Sequence, residues 1–271
     1  DHQLQIGSNT DTEFSMVHNS AIKGSTDSSI VFSSTNTTGS NLLRFSQNAS
    51  SKENYLSEFE MEGTGTIGIS DTLNILRRFT LNNGTFNSDT HLTFKSSDTL
   101  TAVIPEVTGG TISGDVRVER HFPLSGLQRS FRYISPSATT TTSIHANWQE
   151  GAKTNNFIPN QFGTHITGSQ GAVSTVDETT GFDRTETGNY SLFTWDETVQ
   201  DWSHVTSTID NPATVGTVEN TLAVEDAFAL MVRGDRTATL LSNTDEGDYP
   251  ATIRTHGTIH TGNFSYSFNS P

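Results

Sequence analysis

Two segments of the sequence bring several carboxylates close together. In "TDEGDYP" (244–250) three acidic residues surround a glycine, and "VDETTGFDRTETGN" (176–189) is rich in acidic residues. Calcium takes about six to eight oxygen ligands, which close carboxylates and loop carbonyls supply. The predicted ligands are Asp245, Glu246, Asp248, Asp177 and Asp183. Neither segment follows the EF-hand order, so plain solvation of polar loops stays open as the alternative, and calcium is the only cofactor that the sequence suggests.

A second candidate site is aromatic. The segment "YSLFTWDETVQDWSHV" (190–205) predicts a hairpin of two strands around "DETVQD", in which Phe193 and Trp195 share one face and Trp202 lies across the turn. Because indole rings stack on the apolar faces of sugar rings, Trp195 and Trp202 are candidate glycan-binding residues, with packing in a core as the alternative. For a glycan-binding module, Trp148, Trp195 and Trp202 would all have to be exposed and roughly coplanar.

Motifs of common enzyme classes are missing from the sequence. It contains no GxSxG, HExxH, phosphate-binding GxxxxGK[ST] or dinucleotide-binding GxGxxG segment. It also contains no cysteine, which excludes disulfides, a thiolate nucleophile and cysteine-ligated metals. We therefore predict a protein that is not an enzyme. A polysaccharide lyase or hydrolase stays open, since acidic residues are abundant and sequence does not place a catalytic pair.

Charge limits the partners. The chain has 15 Lys and Arg against 30 Asp and Glu, a formal net charge of −15, and is therefore repelled by nucleic acids and anionic lipids. No apolar run reaches the roughly 18 residues of a membrane span. We expect no nucleic-acid partner and no membrane insertion.

The elements that would position these residues are strands. Apolar residues alternate over short runs, as at Ile67 and Ile69, and each run ends at Gly, Asn, Asp or Ser. A helical turn is predicted only at "SIHANWQEGA" (143–152), with Ser143 as its cap. The sequence therefore predicts an all-β fold.

A short sequence motif recurs in the first half of the chain. "SDTL" stands at 70–73, "SDTHL" at 88–92 and "SDTL" again at 97–100. Coils of roughly 20 residues with short strands and tight corners are typical of a β-solenoid, in which Asp-Thr would form a corner and the following Leu would point inward. We predict a β-solenoid, or β-helix-like part, over 1–122. Chance recurrence in a chain rich in Ser and Thr is the alternative.

The character of the chain changes near residue 123. Loops lengthen beyond this point, and all three tryptophans appear. Strands joined by long loops are typical of a β-sandwich or jelly roll, which we predict over 123–271.

Several of these segments, in this order, carry a resemblance to a known group of proteins. They are "TLNNGTFNSDTHLTFKSS" (80–97), "GGTISGDVRVERHFP" (109–123), "RSFRYISPSATTTTSIHANWQEGA" (129–152) and "GFDRTETGNYSLFTWDETVQDWSHV" (181–205). The chain resembles, over roughly residues 62–264, large secreted cell-surface and adhesin-like proteins of Bacteroidota exported by the type IX secretion system.

The resemblance implies an extracellular location on the bacterial surface. It also implies O-glycosylation at Asp-Thr followed by an apolar residue, which makes Thr72 and Thr99 candidate sites in "DTL" at 71–73 and 98–100. We expect a non-catalytic structural and adhesion module, a spacer and attachment segment of a longer protein. Its expected partners are neighbouring domains, identical copies and surface glycans. The alternative is a glycan-binding module of a polysaccharide-degrading system.

Overall fold

The fold is all-β, as the sequence predicts. The computed structural model describes residues 2–6, 20–33, 35, 42–123, 130–154, 162–173, 175–209, 220–237 and 250–261. Within them the regular structure is almost entirely strand, with one short helix. In the described part of the chain, no helix is long and apolar enough to cross a membrane.

The chain forms two compact units. Unit 1 comprises Asp1–Glu119 and Gly257–Phe264, and unit 2 comprises Arg120–His256 and Ser265–Pro271. The sequence predicts two consecutive parts with a boundary near residue 123. In the structure the chain returns to unit 1 after residue 256.

The strands that begin in unit 1 are short and follow one another closely. They are β1 (His2–Ile6), β2 (Ser28–Phe32), β3 (Leu42–Leu43), β4 (Tyr55–Met61), β5 (Thr66–Ile69), β6 (Leu73–Leu81), β7 (Thr85–Asn87), β8 (Leu92–Phe94), β9 (Thr111–Ser113) and β10 (Val116–Phe122). From β2 to β10 they alternate between two sheets.

Both of these sheets are built from parallel pairs. One runs in the order β1-β2-β4-β6-β8-β10 and the other in the order β3-β5-β7-β9. From β2 to β8, each strand therefore pairs with the strand two positions later in the chain, whereas β1 pairs directly with β2. Parallel strands need a connection between them, and here the intervening strand of the other sheet is part of that connection.

The interior of unit 1 is apolar and rich in phenylalanine. Phe79 is fully buried and lies 5.0 Å from Phe59, 4.9 Å from Phe86 and 5.5 Å from Phe94, measured between ring centroids. Phe59 on β4 and Phe79 on β6 are directly opposite each other in the strand register, so the two rings stack across paired strands. Aromatic pairs at such distances stabilise a core beyond the area that they bury.

The first two copies of the recurring Asp-Thr motif have similar positions in the structure, each just before a strand. Leu73 and Leu92 are fully buried and directly opposite each other on β6 and β8. Asp89 and Thr90 form a turn with positive φ angles of 41° and 67° just before β8. In the third copy, Leu100 is only partly buried and lies outside the strands, so the motif does not have the same role there.

Unit 2 contains the remaining strands and the helix. They are β11 (Ser130–Ile134), α1 (Ile144–Trp148), β12 (Thr167–Gln170), β13 (Asp183–Thr185), β14 (Leu192–Asp196), β15 (Asp201–His204), β16 (Phe228–Val232) and β17 (Ala251–Gly257). The helix begins where the sequence predicts, because Ser143 Oγ accepts a hydrogen bond of 3.3 Å from the N–H of Ala146.

Four of these strands form an antiparallel sheet in the order β11-β16-β14-β15. One side of it contributes Leu192, Phe228 and Leu230 to the core of unit 2, together with Trp148 of α1. Strands β12 and β13 form a separate parallel pair. Strand β17 is next to β10 in the strand order. His121 Nδ1 on β10 lies 2.8 Å from Thr252 Oγ1 on β17, and both residues belong to unit 2.

Candidate functional site

The side of the four-stranded sheet away from the core carries a cluster of aromatic side chains. Side chains alternate between the two sides of a strand, so the neighbours of the buried Leu192, Phe228 and Leu230 point away from the core. We call this cluster the aromatic face. It consists of Phe131 and Tyr133 on β11, Phe193 and Trp195 on β14, and Trp202 on β15.

The predicted hairpin forms one end of the aromatic face. Strands β14 and β15 pair as the sequence predicts, with Trp195 directly opposite Trp202. Their ring centroids are 5.6 Å apart and their planes meet at 71°, an edge-to-face contact. The turn between the strands is held by Asp196 Oδ1, which accepts a 2.8 Å hydrogen bond from the N–H of Thr198. The hairpin thus presents the two indoles in a fixed relative orientation.

Strand β11 supplies the most exposed ring. Tyr133 is 73% exposed and Phe131 is 41% exposed. The Tyr133 ring lies 5.4 Å from that of Trp202, and Phe131 lies 5.8 Å from Phe193. Rings from strands that are not neighbours in the sheet therefore touch across its surface.

A small residue makes these contacts possible. Ala229 on β16 is the register partner of both Tyr133 and Phe193. It is on the same side of the sheet as the aromatic face, yet it is only 6% exposed. Its low exposure indicates that neighbouring side chains cover its methyl group. A small side chain in the centre of the sheet thus leaves room for the rings of its register partners.

Trp148 is not part of this surface. It is 1% exposed, its Nε1 donates a 3.2 Å hydrogen bond to Thr255 Oγ1, and its ring packs against Phe228. A platform of three coplanar, exposed tryptophans is therefore wrong, because one indole is in the core and the other two are nearly perpendicular.

Asp183, a predicted calcium ligand, is in a buried ion pair. Its two oxygens accept hydrogen bonds of 2.9 and 2.7 Å from Arg236 Nη1 and Nη2. Oδ2 also accepts from the N–H of Ile166 at 3.1 Å, and His165 Nδ1 lies 3.3 Å from it. Burial raises the pKa of this carboxyl, but His165 and Arg236 outweigh it, and the pKa is lowered. Ligation of a calcium ion by Asp183 would require this pair to open.

Asp177 holds a tight turn. Oδ2 accepts a hydrogen bond of 2.5 Å from Ser169, and Oδ1 accepts hydrogen bonds from the N–H and hydroxyl of Thr179 at 3.0 and 2.7 Å. Arg184 Nη2 is 3.7 Å from Oδ1. Partial burial raises the pKa of Asp177, yet these donors lower it to about 2. The group is therefore ionised and already well supplied with donors.

Calcium binding by the two acidic segments remains a prediction. Among the residues that the structure describes, no three His, Asp or Glu side chains come together as a metal-binding group. Asp245, Glu246 and Asp248, the other predicted ligands, lie outside the described residues.

The two candidate glycosylation sites lie in unit 1. Thr72 and Thr99 are both exposed, Thr72 just before β6 and Thr99 in a turn closed by Ser97, whose Oγ accepts hydrogen bonds from the N–H groups of Thr99 and Leu100 at 3.4 and 3.1 Å. Exposure fits access by a modifying enzyme, and modification itself stays a prediction.

No protein-family model, curated protein or solved structure matches the chain. The candidate site therefore depends on the geometry alone. Trp195 and Trp202 are candidate binding residues from the sequence, whereas Tyr133, Phe131 and Ala229 emerge only from the structure. The available signal was the alternation of Phe131 and Tyr133 in "SFRYI", which places both rings on one side of a strand.

Proposed function

We propose that the chain is a non-catalytic structural and attachment module of a longer extracellular bacterial surface protein. In this proposal unit 1 is a short β-solenoid that acts as a spacer, and unit 2 is a β-sandwich-like or jelly-roll-like part that carries the attachment surface. Neighbouring domains of the same chain or identical copies are its structural partners.

The observation that carries the proposal is the pairing pattern of unit 1. Its strands alternate between two parallel sheets, and the register pairs Phe59 with Phe79 and Leu73 with Leu92 over a common core. Stacked coils of this kind add length without changing their packing, because each coil contacts only its neighbours. This is a suitable construction for a spacer.

The charged groups of unit 2 also fit a structural role. Asp183, Arg236 and His165 are each no more than 1% exposed and join segments that are distant in sequence. The bidentate pair between Arg236 and Asp183 fixes the relative positions of the segments that it joins.

Labelling of intact source cells tests the proposal. Antibodies against the chain are expected to label unpermeabilised cells, and immunoblots are expected to detect a parent protein much longer than 271 residues. External protease is expected to remove the signal. A short parent protein that is labelled only after permeabilisation would overturn the proposal.

The second candidate function is a glycan-binding module of a polysaccharide-degrading system. One observation favours it, the exposure of Tyr133, Phe131 and Trp195 on the aromatic face. Monomeric soluble proteins seldom expose large contiguous apolar patches that have no binding role. A glycan array probed with the full chain tests this candidate, which predicts signals that decrease in a Trp195→Ala variant.

A further inference from the structure

We propose that the aromatic face of unit 2 binds an uncharged polysaccharide, with Tyr133 and Trp195 as the stacking rings and Ala229 as the residue that positions them. This inference rests on the proposed attachment function and names the class of ligand.

The chemistry of the surface suits a polysaccharide. The positions of β11, β16, β14 and β15 that point away from the core are occupied by Phe131, Tyr133, Ala229, Met231, Phe193, Trp195, Trp202 and His204. This set contains aromatic rings rather than the branched aliphatic side chains of a protein core. Tyr and Trp combine a flat apolar ring with one polar group, which suits a ligand whose own rings have apolar faces and polar edges.

The rings of the aromatic face are held in place by one another. The Trp202 ring lies 5.4 Å from that of Tyr133 and 5.6 Å from that of Trp195, measured between centroids. Rings that support one another lose little freedom when a ligand arrives, so the entropic cost of binding is low. Because Trp202 contacts both Tyr133 and Trp195, the two proposed stacking rings would bind different sugars, which suits a chain of sugars rather than a single one.

The charge of unit 2 favours an uncharged ligand. Within these four described strands, no Lys or Arg is on the side of the aromatic face, and Asp196 and Asp201 at the hairpin end alternate to the other side of the sheet. The whole chain carries a formal charge of −15. Acidic polysaccharides and nucleic acids are therefore repelled. A second copy of the chain carries the same charge, which also disfavours self-association through this face.

Affinity electrophoresis of the full chain tests the inference. The neutral probes are xyloglucan, galactomannan and hydroxyethylcellulose, and the acidic probes are alginate and polygalacturonate. We expect retardation by at least one neutral probe and by neither acidic probe. Because no charge pair forms, the affinity is expected to be the same at low and high salt.

Four variants assign the binding to the aromatic face. Tyr133→Ala and Trp195→Ala are each expected to lose about tenfold in affinity, and Tyr133→Phe is expected to keep it. Ala229→Lys, which inserts a long side chain between the rings, is expected to abolish binding. Val199→Ala is the matched control, because Val199 is 63% exposed in the turn of the same hairpin but lies outside the aromatic face. Circular dichroism establishes that each variant is folded.

Three results would overturn the inference. They are equal binding of acidic probes, binding that survives in both Tyr133→Ala and Trp195→Ala, and no retardation by any neutral probe. Analytical ultracentrifugation adds a fourth, a dimer that becomes monomeric in Tyr133→Ala, which would assign the face to a second copy. None of these results affects the surface-labelling experiment, so the ligand class and the attachment function fail independently.

Discussion

Arg236 and Asp183 form a bidentate ion pair in the interior of unit 2, with neither residue more than 1% exposed. The guanidinium also donates to the carbonyl oxygens of Thr164 and Thr154 at 3.2 and 2.9 Å. One arginine thus joins β13 to the segments before β12. Such a pair contributes little net stability compared with an apolar pair of the same shape, but the loss of one partner is costly.

Replacement of Arg236 by Met is therefore expected to lower the free energy of unfolding of unit 2 by about 3–5 kcal/mol, because Asp183 would stay buried without its counter-charge. Urea unfolding followed by tryptophan fluorescence measures this, since all three tryptophans belong to unit 2. The double variant Arg236→Met with Asp183→Leu is expected to recover part of the loss. Arg120→Met, at an exposed arginine, is the control, and a loss no larger than in this control would contradict the interpretation.

Asp177 is expected to make unit 2 sensitive to acid. Its pKa of about 2 lies below the ordinary value of 3.8, so it stabilises the folded state above about pH 4 and loses this effect as the pH falls towards 2. Asp177→Asn is expected to remove about 0.5 kcal/mol of the difference in stability between pH 5 and pH 3, which is roughly half of the full linkage value because the group is partly exposed. Urea unfolding at both values measures it. Glu178→Gln, at the exposed neighbour, is the control, and an unchanged pH dependence in Asp177→Asn would refute the prediction.

The core of unit 1 is expected to depend strongly on Phe79. Phe79→Ala removes a ring that contacts Phe59, Phe86 and Phe94, and its expected cost is about 3–5 kcal/mol. Amide hydrogen exchange along β4, β6 and β8 measures this loss locally. Arg77→Ala, on the exposed side of the same strand, is the control and is expected to change exchange little. Equal protection in both variants would be incompatible with a single shared core.

Gly84 is expected to tolerate no side chain. Its φ angle is 74°, and a Cβ would lie 2.5 Å from the carbonyl oxygens of Gly63 and Gly65. Gly151 has a similar φ of 66° but no atom within 4 Å of a Cβ. Gly151→Ala should therefore cost about 1–2 kcal/mol from the backbone alone, and Gly84→Ala should cost more because the turn must also move. Thermal unfolding by circular dichroism compares the two, and equal losses would argue against the close approach of the turn.

Tryptophan fluorescence separates the core indole from the surface indoles. Trp148 is 1% exposed and Trp195 is 38% exposed, so acrylamide quenching of the wild type is expected to have a protected and an accessible component. In Trp148→Phe the protected component should disappear. A protected component that persists in this variant would mean that Trp195 and Trp202 are covered.

Local patterns predicted the elements well. The cap at Ser143, the hairpin that places Trp195 opposite Trp202, and the inward Leu73 and Leu92 all follow from alternation and turn residues over a few positions. The all-β fold follows from many such runs. These features depend on near neighbours in sequence, which a single sequence displays directly.

Contacts between distant segments could not be predicted in this way. Tyr133 meets Trp202 only because β16 pairs with both β11 and β14 and carries Ala229 between them. The partnership of Asp183 with Arg236 likewise depends on loops whose course has no local pattern. From the sequence alone, a carboxylate in an acidic segment cannot be distinguished from a metal ligand. Asp183 is therefore predicted as a calcium ligand, although in the structure it pairs with Arg236.

The alternation of strands between two parallel sheets in unit 1 also affects how the protein responds to damage. In a ladder where each rung contacts only the rungs beside it, a nick or a lost side chain weakens its own level and leaves distant levels intact. If unit 1 is the short solenoid proposed above, damage to one level is expected to leave distant levels folded.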